Sequence, residues 1–200
     1  AAALARTRVL RTQREALEQR VAERTAELDA ANARLLDLSY RDALTGLSNR
    51  RRLLETLERT PAGATTALVF FDVDHFKVLN DRHGHPAGDE VLRRIVQALL
   101  SCTPTDALLA RYGGEEFACL LPGIDAIQAT SVAERMRAAV ESMSVQIPDG
   151  PQDARVSVSA GVASRSLRTL EDRQRLLRDA DIALYQAKDA GRNRVRTSAD

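Results

Sequence analysis

Two short apolar runs separated by a pair of adjacent glycines constrain the fold of this chain more than any other feature. The runs are Leu108 to Ala110 and Phe117 to Leu121, and Gly113 and Gly114 lie between them. Short apolar runs that flank a glycine-containing segment predict two antiparallel strands joined in a β-hairpin. We therefore expect a buried sheet that contains this hairpin.

A third apolar run, Ala67 to Phe71, predicts a central strand that ends at Asp72 and Asp74. Apolar spacing and turn residues predict five further elements: a helix ending near Arg59, a helix after Gly88, a helix over Ala126 to Met143, a strand over Arg155 to Ala163, and a helix over Leu170 to Lys188 capped by Gly191. The order helix, strand, helix, hairpin, helix, strand, helix predicts an α+β fold in which helices flank a mostly antiparallel sheet.

A seven-residue repeat in the first part of the chain predicts a coiled coil, with its apolar seam at Leu10, Leu17, Val21, Leu28, Ala31, Leu35 and Leu38. One helix alone cannot bury a seam this narrow. The charged residues that flank the seam favour a coiled coil of two parallel helices over the alternative, a solvated amphipathic helix packed on its own domain. Arg14 and Arg24 interrupt the seam, which suits a signalling linker that changes register. We expect residues 1–39 to form this dimerisation helix and residues 40–200 to form one catalytic domain.

Charge balance and apolar content limit the partners of the chain. Its 29 Lys and Arg residues stand against 28 Asp and Glu residues, so it lacks the broad positive field that nucleic-acid binding usually needs. No apolar run approaches the ~20 residues of a membrane-spanning helix. Cys102 and Cys119 lack metal-ligand spacing, which favours reduced thiols and a cytoplasmic location. Because the chain starts at Ala1 within a helical pattern, we expect it to be the cytoplasmic part of a longer protein, such as a membrane-bound receptor, with an upstream sensor domain.

Acidic residues stand at two predicted turns, Asp72 and Asp74 at a strand end and Glu115 and Glu116 at the hairpin tip. Folding requires none of these acids. If the two turns converged, the carboxylates would repel one another and resist burial unless a divalent cation neutralised them. Oxygen ligands completed by phosphate oxygens indicate Mg²⁺ or Mn²⁺. The alternative is that the acids cap turns and face water, because spacing alone does not show that the turns converge.

Residues 111–117, Arg-Tyr-Gly-Gly-Glu-Glu-Phe, resemble the signature of the GGDEF family in its common GGEEF form. Four further stretches resemble the family's motifs in the same order, at residues 42–51, 72–89, 159–163 and 180–193. The resemblance implies the ferredoxin-like, palm-type fold of nucleotide cyclases. It also implies an enzyme that condenses two GTP molecules into cyclic di-GMP and releases pyrophosphate, with Mg²⁺ or Mn²⁺ as cofactor at two ions per active site.

The resemblance further implies a role for each residue that matches a motif. The catalytic carboxylates would be Asp72, Glu115 and Glu116, and the metal ligands would be Asp72, the Val73 carbonyl and Glu115. The guanine would be bound by Asn80 and Asp89, and the phosphates by His75, Phe76, Lys77, Lys188 and Arg192. Gly113 and Gly114 would form a glycine loop that lets the backbone approach the α-phosphate. The residue that takes the proton from the 3′-hydroxyl stays open.

Several of these residues also have simpler explanations. A tight turn would account for the glycines, a helix N-terminus for Asp89, and a basic helix end for Lys188 and Arg192. We expect Arg111 and Tyr112, which lead into the hairpin, to support its loop. His83 and His85 are expected in a turn, without a chemical role.

One motif of many GGDEF relatives, an Arg-x-x-Asp product site shortly before the signature, is missing from this chain. Residues 103–106 read Thr-Pro-Thr-Asp, and Asp106 stands one residue further from Gly113 than the family spacing expects. Neither Thr103 nor Pro104 can make the bidentate contact of an arginine. We therefore expect no inhibitory product site, and we discount the Arg-x-x-Asp spacing of Arg178 and Asp181 because it belongs to the last helix.

The expected product contains two nucleotides, whereas each domain would bind one GTP, so two domains must face each other. A homodimer formed through the N-terminal helix would bring them together. The alternatives are a relative that binds GTP without turnover, a cyclase of adenine-containing dinucleotides, and a dimerising segment that only transmits a signal. The intact acids at Asp72, Glu115 and Glu116 argue against the first, and Asp89 argues against the second.

Overall fold

The computed structural model describes residues 19–28, 39–145 and 155–198. Contacts between residues divide the chain into two units, Ala1–Tyr40 and Arg41–Asp200. In the first unit residues 19–28 are helical, and Val21 and Leu28 are exposed. The remaining positions of the predicted seam and one of its interruptions lie outside the described residues, namely Leu10, Arg14, Leu17, Ala31, Leu35 and Leu38. The coiled coil therefore stays a prediction.

The described part of the second unit forms six strands and five helices. The strands are β1 (Ser48–Asn49), β2 (Ala64–Val73), β3 (Leu108–Arg111), β4 (Glu116–Pro122), β5 (Val158–Leu167) and β6 (Val195–Thr197). The helices are α1 (Arg50–Arg59), α2 (Phe76–His83), α3 (His85–Cys102), α4 (Ala126–Ser142) and α5 (Leu170–Asp189).

The strands form one sheet in the order β1-β3-β4-β2-β5-β6. The pairs β3–β4, β4–β2 and β2–β5 are antiparallel, and the short edge strands β1 and β6 add parallel pairs. The predicted α+β fold with a mostly antiparallel sheet is confirmed. Strand β2 lies at the centre with both of its edges paired, and cores on both faces of the sheet explain why residues 67–71 are continuously apolar.

Alternate residues of β2 point to two separate apolar cores, one on each face of the sheet. Val69 and Phe71 belong to the core formed with α3 and α4, while Leu68 and Phe70 belong to the core formed with α1 and α5. Asp72 continues the second alternation. The strand therefore delivers its first acidic side chain to the face on which α5 packs.

Helix α5 packs on β5 with no side chain between the two backbones at Gly161. A Cβ atom at this position would overlap the backbone nitrogen of Leu184 and the carbonyl oxygen of Ala180. Because neither backbone atom can move aside alone, a larger residue would displace the helix. At the other end, Thr169 and Asp172 form a capping box that fixes where α5 begins.

The structure corrects the prediction for the segment after Asp74. Residues 76–83, left without a predicted helix, form α2, and α3 begins at His85 instead of after Gly88. His83 and His85 therefore end and begin helices and do not lie in a turn. Gly84, with a φ of 79°, joins the two helices, and Pro86 stands in the first turn of α3, where its missing N–H costs nothing.

The predicted bounds of the last long strand are also corrected. Strand β5 begins at Val158 and extends to Leu167, whereas the prediction was Arg155 to Ala163. It continues further because β2 starts at Ala64, which pairs with Leu167. Residues 164–166 of this extension are polar, so no apolar run in the sequence marked it as part of the strand.

Two other expectations concern cysteines and membrane spans. Both cysteines are free, and burial raises the pKa of the Cys119 thiol to about 12. Among the described residues, no helix combines the length and apolar character needed to cross a membrane.

Candidate active site

The end of β2 and the tip of the β3–β4 hairpin meet at one end of the sheet. Asp72 pairs with Glu116 of β4 on one side and with Ser159 of β5 on the other. The Val73 amide donates a hydrogen bond to the Glu115 carbonyl oxygen at 3.2 Å. The fold thus brings the two acidic turns together, which spacing along the sequence could not establish.

Lys188, near the end of α5, reaches the first of these acids. Its Nζ atom lies 2.8 Å from Oδ2 of Asp72. Asp72 is 8% exposed, and this burial raises the pKa of its carboxyl, although the hydrogen bond and the charge of Lys188 act in the opposite direction. The charge of Arg192 also acts to lower that pKa. Two basic side chains from the same helix end therefore act on one buried carboxylate.

Glu115 adds a second carboxyl group that resists ionisation. Partial burial raises its pKa, and the charges of Asp72 and Glu116 raise it further, while Lys188 opposes them. A divalent cation would relieve this repulsion, and Asp72 and Glu115 offer the oxygen ligands that Mg²⁺ or Mn²⁺ prefers. Within the described part of the chain, no three His, Cys, Asp or Glu side chains form a ready-made metal cluster. A metal here would also need main-chain oxygen, such as that of Val73, phosphate oxygen or water.

Glu116 lies on the α5 side of the hairpin, where it lines a cavity of about 370 Å³. The other polar residues of this cavity are Tyr112, Arg178 and Asp181. The Tyr112 ring stacks edge-on against Phe70 with 4.8 Å between ring centroids, and the Arg50 guanidinium lies 4.7 Å from its centroid. Tyr112 is therefore held in place at the base of the hairpin loop.

Arg111 fastens the glycine loop to the segment before α1. Its Nη2 donates to the Gly114 carbonyl at 2.6 Å, and its Nε lies 3.1 Å from the carbonyl oxygens of both Gly113 and Gly114. Its Nη1 donates to the two carboxylate oxygens of Asp42 at 3.0 and 3.2 Å. Burial acts to raise the pKa of Asp42, but hydrogen bonds from Thr45 and Arg111 hold it below its ordinary value. The loop conformation thus depends on a residue 69 positions away.

The two glycines of the loop have different surroundings. A Cβ atom on Gly113 would overlap Oε2 of Glu116, whereas one on Gly114 would have no neighbour within 4 Å. Neither residue has a positive φ. Within the described residues, neither backbone conformation nor packing therefore requires glycine at position 114.

Asn80 and Asp89, the predicted guanine contacts, lie where α2 and α3 meet. The Asn80 side chain lies against Gly88, where a Cβ atom would overlap its Oδ1. This buried oxygen makes no hydrogen bond with any described residue. Leaving such an oxygen unpaired costs about 1–3 kcal/mol, so a donor from a ligand would stabilise it. The N1 and N2 groups of guanine are donors of this kind.

The predicted phosphate contacts His75, Phe76 and Lys77 lie at the start of α2. His75 has a left-handed backbone with a φ of 59°, and no side chain caps the helix. Phe76 is buried and anchors this turn in the core, while Lys77 is exposed. The uncapped N–H groups of the first turn favour an anion at this end of the helix.

The remaining predicted phosphate contacts lie at the end of α5, which closes in a Schellman motif. The amide of Gly191 donates to the Lys188 carbonyl at 3.3 Å, and the amide of Arg192 donates to the Ala187 carbonyl at 3.1 Å. Gly191 has a φ of 111°, so the predicted glycine cap is confirmed. This turn lets Lys188 and Arg192 leave one helix end and act on the same carboxylate.

Sequence reasoning gave no role to three residues that hold this site together, Asp42, Asp74 and Asn193. Asp42 accepts a hydrogen bond from the Arg111 guanidinium, and Asp74 accepts one from the backbone amide of Asn193 at 3.0 Å. All three lie in stretches that resemble motifs of the family. Their positions within these stretches were the available signal. Their hydrogen-bond partners lie too far away in the sequence to be identified from the motifs.

Comparison with known proteins gives consistent results. A profile described as "Diguanylate cyclase, GGDEF domain" matches residues 39–194. Diguanylate cyclase A of Treponema denticola is 37% identical over 192 residues, which are 90% of this chain and 51% of that protein. Diguanylate cyclase DgcM of Escherichia coli K12 is 39% identical over 163 residues, 78% of this chain and 38% of that protein. The chain spans about half or less of the length of these curated relatives.

Two solved structures share the fold over most of the chain. The coiled coil and GGDEF domain of DgcB from Caulobacter crescentus, in complex with c-di-GMP, has a TM-score of 0.77 and 33% identity, covering 90% of this chain and 98% of that one. Diguanylate cyclase SiaD of Pseudomonas aeruginosa, in complex with its activator SiaC, has a TM-score of 0.76 and 36% identity, covering 97% and 76%. The match of the family profile to residues 39–194, together with these structural neighbours, shows that the chain belongs to the GGDEF domain family.

Proposed function

We propose that this chain is a diguanylate cyclase that condenses two GTP molecules into cyclic di-GMP and releases two pyrophosphates. The convergence of Asp72, Glu115, Glu116 and Lys188 beside the glycine loop is the observation that carries the proposal. Family membership and the names of the similar proteins support it.

In this proposal Asp72, Glu115 and the Val73 carbonyl hold Mg²⁺ or Mn²⁺, two ions per site. Such ions, when bound, lower the pKa of an attacking hydroxyl and neutralise charge on the leaving pyrophosphate. Glu116 completes the catalytic acids. The mutual repulsion of the carboxyl groups, expressed in the raised pKa values of Asp72 and Glu115, supports a cationic ligand between them.

The chain's own residues bind and orient the nucleotide. Asn80 and Asp89 bind the guanine, and the unpaired Oδ1 of Asn80 supports a donor-bearing base there. The phosphates are bound by the first turn of α2, with His75, Phe76 and Lys77, and by Lys188 and Arg192 at the end of α5. The backbone at Gly113 and Gly114 lies close to the α-phosphate, where a side chain would interfere.

Two domains must meet for the reaction to occur, because each half-site holds one GTP. The 3′-hydroxyl of each GTP then attacks the α-phosphorus of the other, and the bond to the pyrophosphate leaving group breaks. We propose a homodimer in which residues 1–39 form the signalling coiled coil and residues 40–200 form the cyclase domain. An upstream sensor, a cytoplasmic location, the absence of an inhibitory product site and the lack of a nucleic-acid partner belong to the same proposal.

The direct test is turnover of GTP with Mg²⁺, compared between the parent and Glu115→Gln. A matched control is Glu90→Gln, since Glu90 pairs with Arg93 and Arg94 on α3 and with no other residue that the structure describes. We expect cyclic di-GMP from the parent and the control, at least about 100-fold less from Glu115→Gln, and specific activity that falls on dilution. GTP binding without product at high protein concentration would instead support a binding module.

A further inference from the structure

The second acid of the Asp72-Val73-Asp74 turn has a different environment from the first. Asp74 is 9% exposed, and its Oδ1 accepts a hydrogen bond from the Ser159 hydroxyl at 2.6 Å. Its Oδ2 accepts one hydrogen bond from the Ser157 hydroxyl at 2.6 Å and another from the backbone amide of Asn193 at 3.0 Å. Three short hydrogen bonds commit both oxygens of this carboxylate to the protein, so Asp74 is not a free metal ligand.

The loop that binds Asp74 has an unfavourable backbone. Gly191, Arg192 and Asn193 have φ values of 111°, 62° and 45°, and two of these three residues carry side chains. Residues other than glycine rarely adopt this region, so other contacts must stabilise it. The backbone amide of Asn193 supplies one such contact, through its hydrogen bond to Asp74.

The Asn193 side chain supplies two more contacts, both with α4. Its Oδ1 accepts a hydrogen bond from Nη1 of Arg137 at 2.7 Å, and its Nδ2 donates to Oε1 of Glu141 at 2.6 Å. Arg137 also pairs with Glu141 at 2.7 Å and is mostly buried. The loop is therefore fastened on one side to the end of β2 and on the other side to α4.

The loop held by these contacts carries Arg192, whose side chain is exposed. It lies between the Schellman turn and Asn193, and its guanidinium makes no hydrogen bond or ion pair with any other residue that the structure describes. Its backbone amide donates a hydrogen bond to the Ala187 carbonyl at 3.1 Å, and the next residue, Lys188, lies 2.8 Å from Asp72. A long, exposed cation on a loop that begins beside the acidic site is placed to bind phosphate.

We infer that Asp74 and Asn193 are positioning residues that hold the loop after α5 so that Arg192 contacts the β- and γ-phosphates of the nucleotide. This inference rests on the proposed function, because it takes GTP as the ligand. It separates the two acids of the turn: Asp72 serves the reacting groups, and Asp74 serves the loop.

Equilibrium binding of GTP and of GMP, without turnover, tests the inference. Both nucleotides carry guanine, but only GTP has β- and γ-phosphates. We expect Asn193→Ala and Asp74→Asn to weaken GTP binding by about tenfold and to leave GMP binding within about twofold, because a charge-assisted contact to the outer phosphates is lost. Asn193→Gly should lose less than Asn193→Ala, since glycine accepts the left-handed backbone.

A matched control and a double-mutant cycle separate positioning from general stability. Thr169→Ala removes the cap at the other end of α5, and we expect it to lower the unfolding temperature without changing either affinity. In an Arg192→Ala background, Asn193→Ala should weaken GTP binding no further. Additive effects there, or equal losses for GTP and GMP, would overturn the inference. A parent that binds GTP but makes no cyclic dinucleotide would contradict the proposed function alone.

Discussion

The ammonium group of Lys188 lies 2.8 Å from Oδ2 of Asp72, so a cation from α5 stands beside the carboxylate that we propose as a metal ligand. A divalent ion at Asp72 would compete with this ammonium group. A triphosphate, in contrast, would offer the ammonium group new anionic partners. Lys188 therefore opposes metal binding on its own and supports binding of metal together with nucleotide.

The first prediction concerns Lys188→Met. Removing the ammonium group should tighten Mn²⁺ binding measured without nucleotide by about threefold to tenfold, since a competing cation is lost. The same change should weaken GTP binding by about tenfold or more. Calorimetry measures both affinities. For the metal titration, Lys77→Met is the control, because Lys77 is exposed on α2 and forms no ion pair with the described residues.

The same ion pair can be observed directly. Lys77 and Lys188 are the only lysines in the sequence, so ¹³C-dimethylation adds two lysine signals to that of the amino terminus. Asp72→Asn should shift the Lys188 signal and leave the Lys77 signal in place. A shift of both signals, or of neither, would contradict the ion pair in solution.

The second prediction contrasts the two glycines of the loop. Gly114→Ala should leave stability unchanged or raise it by up to about 1 kcal/mol, because its Cβ would have no neighbour and its φ is not positive. GTP binding and turnover should nevertheless fall by about tenfold or more if the ligand approaches this backbone. Gly113→Ala should instead displace Glu116. Urea unfolding and GTP titration of both variants separate the cases, and full activity of Gly114→Ala would refute this explanation.

The third prediction follows from the ion pair between Asp42 and Arg111, whose side chains are 22% and 15% exposed. Asp42→Asn should lower the free energy of unfolding by about 2 kcal/mol near neutral pH. The folded pKa of Asp42 lies below the ordinary value of 3.8, so its contribution is full above that value and is lost as the pH falls through the folded pKa. The difference between parent and variant in urea unfolding should therefore shrink from pH 6 to pH 3. Exposed Asp106→Asn serves as the control, and a constant difference would argue against the ion pair.

The fourth prediction concerns inhibition by product. Because residues 103–106 lack the arginine of the Arg-x-x-Asp motif, cyclic di-GMP should inhibit only by competition with GTP. Initial rates at several GTP concentrations test this, and calorimetry with the active site saturated should reveal no second tight site. A noncompetitive pattern would mean that another arginine of this chain supplies the contact.

Local signals predicted the central elements well. Continuous apolar residues predicted β2, and the glycine pair between two apolar runs predicted the hairpin, because burial and turn chemistry act within a few residues. Helix α2 was missed because its eight residues include Asn80 and Asp81, which favour turns as readily as helices. The short strands β1 and β6 depend on partners elsewhere in the chain, so nothing local marks them.

The sequence predicted the acidic and basic residues of the site but not the hydrogen bonds and ion pairs that hold them in place. Asp72, Glu115 and Lys188 were identified by resemblance to the family, and the fold brings them together. The contacts that hold them join residues 69 to 119 positions apart, such as Asp42 with Arg111 and Asp74 with Asn193. Separations of this size leave no periodic pattern, so only the folded chain reveals them.

The backbone contact at Gly161 sets how closely α5 approaches the sheet. The Leu184 nitrogen and the Ala180 carbonyl oxygen occupy the space that a Cβ atom at this position would need. Lys188 follows Leu184 by about 6 Å along the helix axis, at 1.5 Å per residue, and its ammonium group lies 2.8 Å from Asp72. A glycine that contacts neither charged group therefore helps to fix the distance between them.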